Sequence, residues 1–298
     1  MSERDEVQPL SEEHCRALVP HPAPDANKYS RGTLAVVGGS AAYPAAPIMA
    51  ALSAARAGAG YVRLFVPGSA ADVARAHLLS IPVTACATTP DGSFATEGAS
   101  DLLRAAAKMR AFAIGPGMGQ DVSARAFLKE LLEAQSSAGD KRPALLDADA
   151  LNALAVEPDL SRLRHGVLDV LTPHEGEAAR LLGRKVADRL SDARELAERF
   201  EDVVVLKGPR TLIVAPDGRE RVCTQAGPEL AKAGTGDVLS GIIGGLLAQG
   251  VDAFDAACLG VFLHSRAGSL ASDRLGVNAV MAEDIIDDIG PAYISLGG

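Results

Sequence analysis

A glycine-rich stretch, Ala233-Gly234-Thr235-Gly236-Asp237, stands directly before an apolar helical segment. Glycines here let backbone N–H groups converge on one point, and the positive end of the helix dipole favours an anion there. Because a carboxylate repels phosphate, Asp237 makes chemical sense as a base that takes a proton from an attacking hydroxyl. The local pattern alone also allows Asp237 to be a helix cap. The stretch is not a P-loop, because the Gly-Lys-Ser/Thr ending is absent.

A second group of polar residues follows the next apolar run upstream. Asp147 and Asp149 are two positions apart, and Asn152 comes shortly after them. Carboxylates at this spacing point the same way if the strand continues, which suits a network of water around Mg²⁺. The alternative is that these side chains cap a loop. The glycines of residues 115–119 make a poor dinucleotide fingerprint, because the proline and the spacing do not match.

These loops need a scaffold that brings them to one place. From Thr33 onward, short apolar runs end in polar or Gly-rich loops and are followed by helical segments. This alternation predicts a three-layer α/β/α sandwich with a mostly parallel central sheet, whose ligands gather at the carboxyl ends of the strands. Residues 202–224 instead predict strands joined by tight turns, and so antiparallel edge strands. We expect a lead-in segment over residues 1–26 and one domain over residues 27–298.

The composition excludes several classes of function. The chain has 298 residues and a net charge of −9, which argues against a non-specific binder of nucleic acid or of anionic membranes. The four cysteines form no CxxC pair, as expected of reduced thiols. The charged first residues lack an apolar signal segment, and glycine and proline interrupt the longest uncharged run. We therefore expect a cytoplasmic protein with neither a nucleic-acid nor a membrane partner.

Seven segments, taken together and in order, resemble the ADP/ATP-dependent NAD(P)H-hydrate dehydratases of the ribokinase-like superfamily. They are GTLAVVGGS, AGAGYV, IGPGMG, LLDADALN, LTPHEGE, LKGPRTLIVAPDG and LAKAGTGDVLSG. The resemblance runs from about Asn27 to Ile289. It implies that ADP or ATP phosphorylates the ring hydroxyl of hydrated NADH or NADPH (NADHX or NADPHX), and that loss of phosphate then restores the dihydronicotinamide. It also implies Mg²⁺, a homo-oligomer that is often a tetramer, and cooperation with a separate NAD(P)H-hydrate epimerase.

The resemblance implies roles for individual residues on the nucleotide side. Asp237 matches both the catalytic base and a substrate contact. The matching anion hole comprises Gly234, Thr235 and Gly236, of which Gly236 should also touch the nucleotide. The adenine nucleotide is expected on a loop composed of Lys207, Gly208, Pro209, Arg210 and Thr211.

The hydrated cofactor is expected against a second set of residues. This set comprises Ala46, Gly117 and His174, together with Asp237. Without the resemblance, His174 is more simply a histidine at a helix start. The sequence departs from the family after Tyr43-Pro44, where Ala45 replaces the usual glycine and Pro47 adds rigidity.

Three charged residues complete the expected site. Glu177 is expected to help hold the Mg²⁺ shell through water, and no residue is assigned as a direct metal ligand. Lys232 either steers phosphate or is solvated. At the opening of the helix, unpaired N–H groups and the dipole are expected to lower the pKa of Asp237 and keep it ionised at neutral pH.

Two other functions share parts of this pattern. A ribokinase-like vitamin kinase, of the hydroxyethylthiazole-kinase type, would have the same glycine-rich loop and base. The Pro-His-Glu-Gly-Glu and Asp-Ala-Asp-Ala-Leu-Asn segments favour the dehydratase. A nucleotide-binding regulatory protein without turnover is the second alternative, and an intact Asp237 argues against it. A kinase leaves a stable phosphoester, whereas a dehydratase releases free phosphate.

Overall fold

The computed structural model describes residues 7–164 and 166–298, and its nine strands form one sheet. The strands are β1 (Thr33–Val37), β2 (Tyr61–Pro67), β3 (Val83–Cys86), β4 (Ala111–Ile114), β5 (Ala144–Leu146), β6 (Val170–Leu171), β7 (Val203–Leu206), β8 (Thr211–Val214) and β9 (Glu220–Cys223). They lie side by side in the order β3-β2-β1-β4-β5-β6-β7-β8-β9. Neighbours from β3 to β7 are parallel, and β8 is antiparallel to both β7 and β9.

Helices cover both faces of this sheet. They are α1 (Glu12–Leu18), α2 (Ala45–Arg56), α3 (Gly68–His77), α4 (Gly98–Ala105), α5 (Val122–Ser137), α6 (Asp149–Val156), α7 (Glu175–Leu182), α8 (Arg189–Phe200), α9 (Thr235–Ala248), α10 (Ala253–Leu275) and α11 (Ala282–Ser295). The cores place α1, α2, α3, α9, α10 and α11 on one face, and α4 to α8 on the other. Two short 3₁₀ helices span Pro158–Arg164 and Pro228–Leu230.

Strand β1 shows why the sequence forms this sandwich. All five of its residues are buried. Leu34 and Val36 belong to the core on one face, whereas Ala35 and Val37 belong to the core on the other. A strand covered on both faces needs a continuous apolar run rather than an alternating one. The predicted three-layer α/β/α fold, with a mostly parallel sheet and antiparallel edge strands, is confirmed.

The described part of the expected lead-in segment packs against the domain. The N–H of Leu10 donates to the carbonyl of Val222, and the N–H of Val222 donates to the carbonyl of Gln8, so this segment pairs with the edge strand β9. Cys15 on α1 is fully buried. Residues 1–6 of the expected segment lie outside the described residues. Within the described ranges, none of the helices combines the length and apolar character of a membrane span.

The carboxyl ends of the central strands meet at one edge of the sheet. There the N–H of Gly39 donates to the carbonyl of Pro116, and the N–H of Lys207 donates to the carbonyl of Pro173. A Cβ added at Gly115, whose φ is +119°, would lie 1.9 Å from the carbonyl oxygen of Asp147. The loops after β1, β4, β5, β6 and β7 are therefore in contact, and they converge where the sequence places its unusual residues.

Candidate active site

The amino end of α9 presents unpaired backbone donors. Gly234 precedes the helix with φ of +89° and provides no side-chain cap. The N–H groups of Gly236 and Asp237 have no acceptor among the described residues. The hydroxyl of Thr235 is within 2.7 Å of the carbonyl oxygen of Leu230, which ties the helix start to the preceding loop. Free N–H groups at a helix start, together with its dipole, form a site for an anion.

One ammonium lies beside these donors, held by carboxylates. Lys207 Nζ is 2.9 Å from Asp147 Oδ1 and 3.9 Å from Glu177 Oε2. A Cβ added at Gly236 would lie 3.5 Å from the same nitrogen, at van der Waals contact, so the ammonium lies next to this residue. Burial disfavours the charged lysine, but the charges of Asp147 and Glu177 outweigh it and raise the pKa of Lys207. The cation therefore stays charged next to the helix opening.

Burial raises the pKa of Asp237 to about 7. Nearby carboxylates, chiefly that of Asp147, act in the same direction, and the ammonium of Lys207 opposes them. Burial likewise raises the pKa of Glu177 to about 7. The expectation that the helix dipole lowers the pKa of Asp237 is therefore wrong, because desolvation and like charges exceed the field of the helix end.

A cleft of about 470 Å³ opens beside this charged group. Its walls include Lys207, Gly208, Pro209, Thr211, Thr235 and Gly236. The volume is within the range of small-molecule sites. The structure thus brings most of the expected nucleotide loop to the expected anion hole. Arg210 differs, because it is exposed and is not among the residues that line the cleft.

Arg189, on α8, holds the loop after β7 in place. Its Nη2 donates to the carbonyl oxygens of Leu206 and Lys207 at 3.1 Å each, and to that of Arg210 at 3.3 Å. Sequence reasoning missed this residue. Nothing in the sequence marks it, because α8 contains several other charged residues of ordinary surface character.

His174 is the amino-terminal cap of α7. Its Nδ1 accepts hydrogen bonds from the N–H groups of Gly176 and Glu177, and the Glu177 carboxylate accepts from the N–H of His174 at 2.8 Å. Because Nδ1 accepts, the neutral ring carries its proton on Nε2. Burial, with the positive charges of Lys207 and Arg180, lowers the pKa of His174 and favours that neutral form. The residue thus has a structural role in addition to any contact with a ligand.

The loops expected to hold the hydrated cofactor are in contact. Gly117 has φ of +64°, and a Cβ there would lie 2.6 Å from the carbonyl oxygen of Tyr43 and 3.0 Å from Cβ of Ala46. Only glycine therefore allows this approach. Ala45 and Pro47 both lie within α2, which begins at Ala45. The departure from the family pattern is accommodated as the first turn of a helix.

Asp147 and Asp149 face different partners, contrary to the expected paired arrangement. They flank a turn in which Ala148 has φ of +51° and ψ of −114°, and the N–H of Ala150 donates to the carbonyl of Asp147. This turn has the type II′ form. Asp147 contacts Lys207, whereas Asp149 accepts from the N–H of Gly119 at 2.8 Å. Because β5 ends at Leu146, the alternation that would point both carboxylates the same way does not apply to them.

Lys232 is exposed, and its Nζ donates to the carbonyl oxygens of Asn278 and Val280, at 2.7 and 2.6 Å. These contacts fasten the loop before α9 to the loop before α11. The sequence did not predict this role, because the residues that accept the hydrogen bonds are more than forty positions away.

Two further polar residues lie close to the cleft. Ser240 on α9 is fully buried, and its hydroxyl is 2.6 Å from Asp147 Oδ2. It was missed, although a serine one turn after Asp237 in an otherwise apolar helix is a visible signal. His264 lines the cleft, and burial lowers its pKa to about 4, so it is neutral. Over residues 7–164 and 166–298, no group of three or more His, Cys, Asp or Glu side chains forms a metal site. His165 lies outside the described residues.

Comparisons with known proteins agree with this geometry. The family model described as NAD(P)H-hydrate dehydratase matches residues 34–291. The ADP-dependent (S)-NAD(P)H-hydrate dehydratase of Neisseria meningitidis is 38% identical over 275 residues, which cover 91% of this chain and 86% of the relative. The bifunctional NAD(P)H-hydrate repair enzyme of Moorella thermoacetica is 39% identical over 277 residues, which cover 92% of this chain but 51% of the relative. The chain thus spans about half the length of such bifunctional relatives.

A solved structure extends the likeness to the whole fold. The ADP/ATP-dependent NAD(P)H-hydrate dehydratase of Bacillus subtilis, co-crystallised with ATP and Mg²⁺, superposes with a TM-score of 0.80 at 26% identity. The superposition covers 98% of this chain and 99% of that one. The family model matches most of the chain, and the Neisseria relative is 38% identical to it. The chain therefore belongs to the NAD(P)H-hydrate dehydratase family.

Proposed function

We propose that the chain catalyses the ADP- or ATP-dependent dehydration of the S epimer of NADHX or NADPHX, which regenerates NADH or NADPH. The products are phosphate and AMP from ADP, or ADP from ATP. One observation carries the proposal. Asp237, with a pKa of about 7, stands at the open amino end of α9, where the charge of Lys207 acts on it and where its neighbours Thr235 and Gly236 line the cleft. This arrangement joins a base, an anion site and a nucleotide-sized cleft.

The adenine nucleotide occupies the cleft in this proposal. The backbone of Gly208 and Pro209 and the side chain of Thr211 form its wall, and its terminal phosphate meets the free N–H groups of Gly236 and Asp237. Preorganised donors of this kind stabilise the charge of a phosphoryl group in transfer. Lys207 adds a positive charge that is already in place before the nucleotide arrives.

Asp237 acts as the base for phosphoryl transfer. The ring hydroxyl attacks the terminal phosphorus, its proton passes to the Asp237 carboxylate, and the bond to the leaving nucleotide breaks. The C–O bond of the resulting ester then breaks with loss of a proton from the neighbouring carbon, which releases phosphate and restores the double bond. A base with a pKa near the working pH is better suited to this task than an ordinary aspartate.

The charges of the site fit Mg²⁺. The carboxylates of Asp147, Glu177 and Asp237 outnumber the single ammonium of Lys207, and burial with mutual repulsion raises two of their pKa values to about 7. A divalent cation relieves this excess, and oxygen ligands suit Mg²⁺, which is held by one or two carboxylates together with substrate phosphates. Glu177 and Asp237 would hold it, directly or through water. When bound, it would neutralise charge on the phosphates.

The hydrated nicotinamide lies, in this proposal, against Ala46, Gly117 and His174. The missing Cβ of Gly117 lets its loop pack closely against Tyr43 and Ala46, which keeps the two expected contact residues, Ala46 and Gly117, together. The Nε2–H of His174, which lies 3.5 Å from Glu177 Oε1, is the ring donor that does not cap α7. An epimerase activity, in the same chain or another, would supply the S epimer. We also propose that the protein is cytoplasmic, because its four free cysteines suit a reducing compartment. We further propose that it is a homo-oligomer.

The experiment is incubation of the purified protein with hydrated NADH or NADPH, Mg²⁺, and either ADP or ATP. We expect the absorbance of the dihydronicotinamide to return, with one phosphate released for each molecule restored. Omission of the nucleotide is the control and should abolish both signals. A stable phosphorylated product without recovered absorbance would instead support a vitamin-kinase type of activity. Nucleotide binding without any turnover would support the regulatory alternative.

A further inference from the structure

A buried hydroxyl links α9 to the charged group of the site. Ser240 is fully buried within α9, and its Oγ lies 2.6 Å from Asp147 Oδ2 and 3.0 Å from the carbonyl oxygen of Gly236. Its neighbours along the helix are apolar or glycine, as in Val238-Leu239 and Gly241-Ile242. A serine hydroxyl has one proton, and the ionised carboxylate is the stronger acceptor. We assign that proton to Asp147.

The backbone of Asp147 is fixed, and its carboxylate is held chiefly by Lys207 and Ser240, with the hydroxyl of Thr172 also close enough to lower its pKa. Its N–H donates to the carbonyl of Ile114, and its own carbonyl accepts from the N–H of Ala150. The terminal torsion of an aspartate is broad, so its carboxylate rotates unless both oxygens are held. Lys207 holds Oδ1 at 2.9 Å, and Ser240 holds Oδ2. Lys207 has a second carboxylate within reach, because Glu177 Oε2 is 3.9 Å away.

We propose that Ser240 is a positioning residue: its hydroxyl locks the Asp147 carboxylate, which in turn keeps the Lys207 ammonium beside Gly236 at the anion site. The inference rests on the proposed function, because the anion in question is the phosphoryl group in transfer. Without the hydroxyl, Asp147 can rotate and Lys207 can move toward Glu177. The ammonium would then be displaced from the point at which negative charge develops. A displacement of about 1 Å at a reacting centre can cost roughly 100-fold in rate.

The primary test is Ser240→Ala, with Ser53→Ala as the matched control. Ser53 is also a fully buried helical serine, and its Oγ donates to the carbonyl of Met49 at 2.6 Å rather than to a carboxylate. We expect Ser240→Ala to lower kcat by about 10- to 100-fold. The KM for the hydrated dinucleotide should stay within about twofold, and the Tm should match that of Ser53→Ala. Ser53→Ala should keep the wild-type kcat.

Two further variants separate positioning from a general structural role. Ser240→Thr keeps a hydroxyl at the same place, and we expect it to recover most of the lost kcat. In an Asp147→Asn background, Ser240→Ala should have little further effect, because the residue through which it acts no longer holds the ammonium. Full additivity of the two substitutions would overturn the proposal.

The outcomes distinguish this proposal from the proposed function. If the wild type restores no dihydronicotinamide, the proposed function fails, and the crystal structure of Ser240→Ala still decides the positioning. Movement of Lys207 Nζ away from Asp147 and toward Glu177 would support it. An unchanged Lys207–Asp147 contact in that crystal structure would overturn it. If the wild type is active and Ser240→Ala has the kcat of Ser53→Ala, the positioning proposal is wrong and the proposed function stands.

Discussion

Two groups of buried charges occupy opposite ends of the same three strands. At the amino ends of β5, β6 and β7, Asp169 accepts two hydrogen bonds from Arg164, at 2.7 and 2.8 Å, and a third from the N–H of Ala144. At the carboxyl ends, the ammonium of Lys207 faces Asp147 and Glu177. Both ends of the strands carry acidic and basic residues, but the two groups differ in how far their charges and hydrogen-bonding groups are satisfied within the fold.

The charged groups at the amino end are paired within the fold. The guanidinium of Arg164 also donates to the side-chain oxygen of Gln135 and to the carbonyl of Arg142. Asp202 accepts from the N–H of Asp169, and burial with the Asp169 charge raises the pKa of Asp202 well above its usual range. The donors and acceptors of this ion pair have partners within the fold.

The carboxyl-end group has an excess of carboxylates over cations and adjoins a cleft. Its carboxylates repel one another, and the N–H groups of Gly236 and Asp237 lack partners in the described chain. Buried charge that is satisfied internally makes the fold depend on both partners, whereas charge left unsatisfied at a cleft is available for a ligand. The same substitution, aspartate to asparagine, should therefore have opposite consequences at the two ends.

The largest expected effect is on turnover at the carboxyl end. Asp237→Asn keeps the shape of the side chain but cannot take the hydroxyl proton, so we expect kcat to fall by about 10²- to 10⁴-fold. The same change removes one member of a repelling group, so the Tm of the ligand-free protein should rise rather than fall. Initial rates of dihydronicotinamide recovery and a thermal melt measure the two effects. Near-normal turnover would show that Asp237 is only a helix residue.

The largest expected effect on stability is at the amino end. Asp169→Asn leaves the buried guanidinium of Arg164 without its counter-charge, which should reduce the free energy of unfolding by about 3–5 kcal/mol. At a temperature where the variant is folded, its kcat should remain close to wild type. Urea unfolding gives the stability. Asp72→Asn, in an exposed pair with Arg75, is the control and should change it by less than about 0.5 kcal/mol.

A pH series tests the excess charge at the carboxyl end. The pKa values of Asp237 and Glu177 are raised to about 7 in the fold, so between about pH 4.5 and 7 the folded state binds more protons than the unfolded chain. Without Mg²⁺ or nucleotide, this contribution to stability is present below that window and is lost as the pH rises through it, by about 3–4 kcal/mol for each carboxylate.

The double variant Asp237→Asn, Glu177→Gln should be less sensitive to pH over this window. The comparison is between the slopes of the unfolding free energy of wild type and variant, measured in chelator by urea unfolding. Asp202 contributes the same sign in both proteins, so it cancels from the difference. Identical slopes would show that the two carboxylates titrate normally.

The smallest expected effect concerns the cap of α7. His174→Ala removes an N-cap and should lower the free energy of unfolding by about 1 kcal/mol, whereas His174→Asn keeps a favoured cap residue and should restore most of it. If Nε2 also contacts the hydrated dinucleotide, both variants should raise its KM. Urea unfolding and steady-state kinetics separate the two roles. Equal stability of the two variants would contradict the capping role, and unchanged KM values would contradict the contact.

The sequence by itself determined the sandwich and most of the loops around the site. Apolar runs such as Thr33–Val37 can only be strands covered on both faces, and helical segments between them require parallel pairing. The glycine-rich stretch before Asp237 marked the open end of a helix for the same local reason. Short-range patterns suffice where the cause is itself short-range, as in hydrophobic periodicity and the conformational freedom of glycine.

Only the tertiary structure decided the electrostatics and the supporting contacts. The pKa of Asp237 is raised rather than lowered because the fold buries its carboxylate and brings Asp147 and Glu177, which are distant in sequence, close to it. Ser240 meets Asp147 across 93 positions, and Lys232 meets Val280 across 48. Desolvation and Coulomb forces depend on distance in space, which no local sequence pattern records. For that reason the expected site residues could be proposed from the sequence and its family resemblance, but their protonation and their supporting contacts could not.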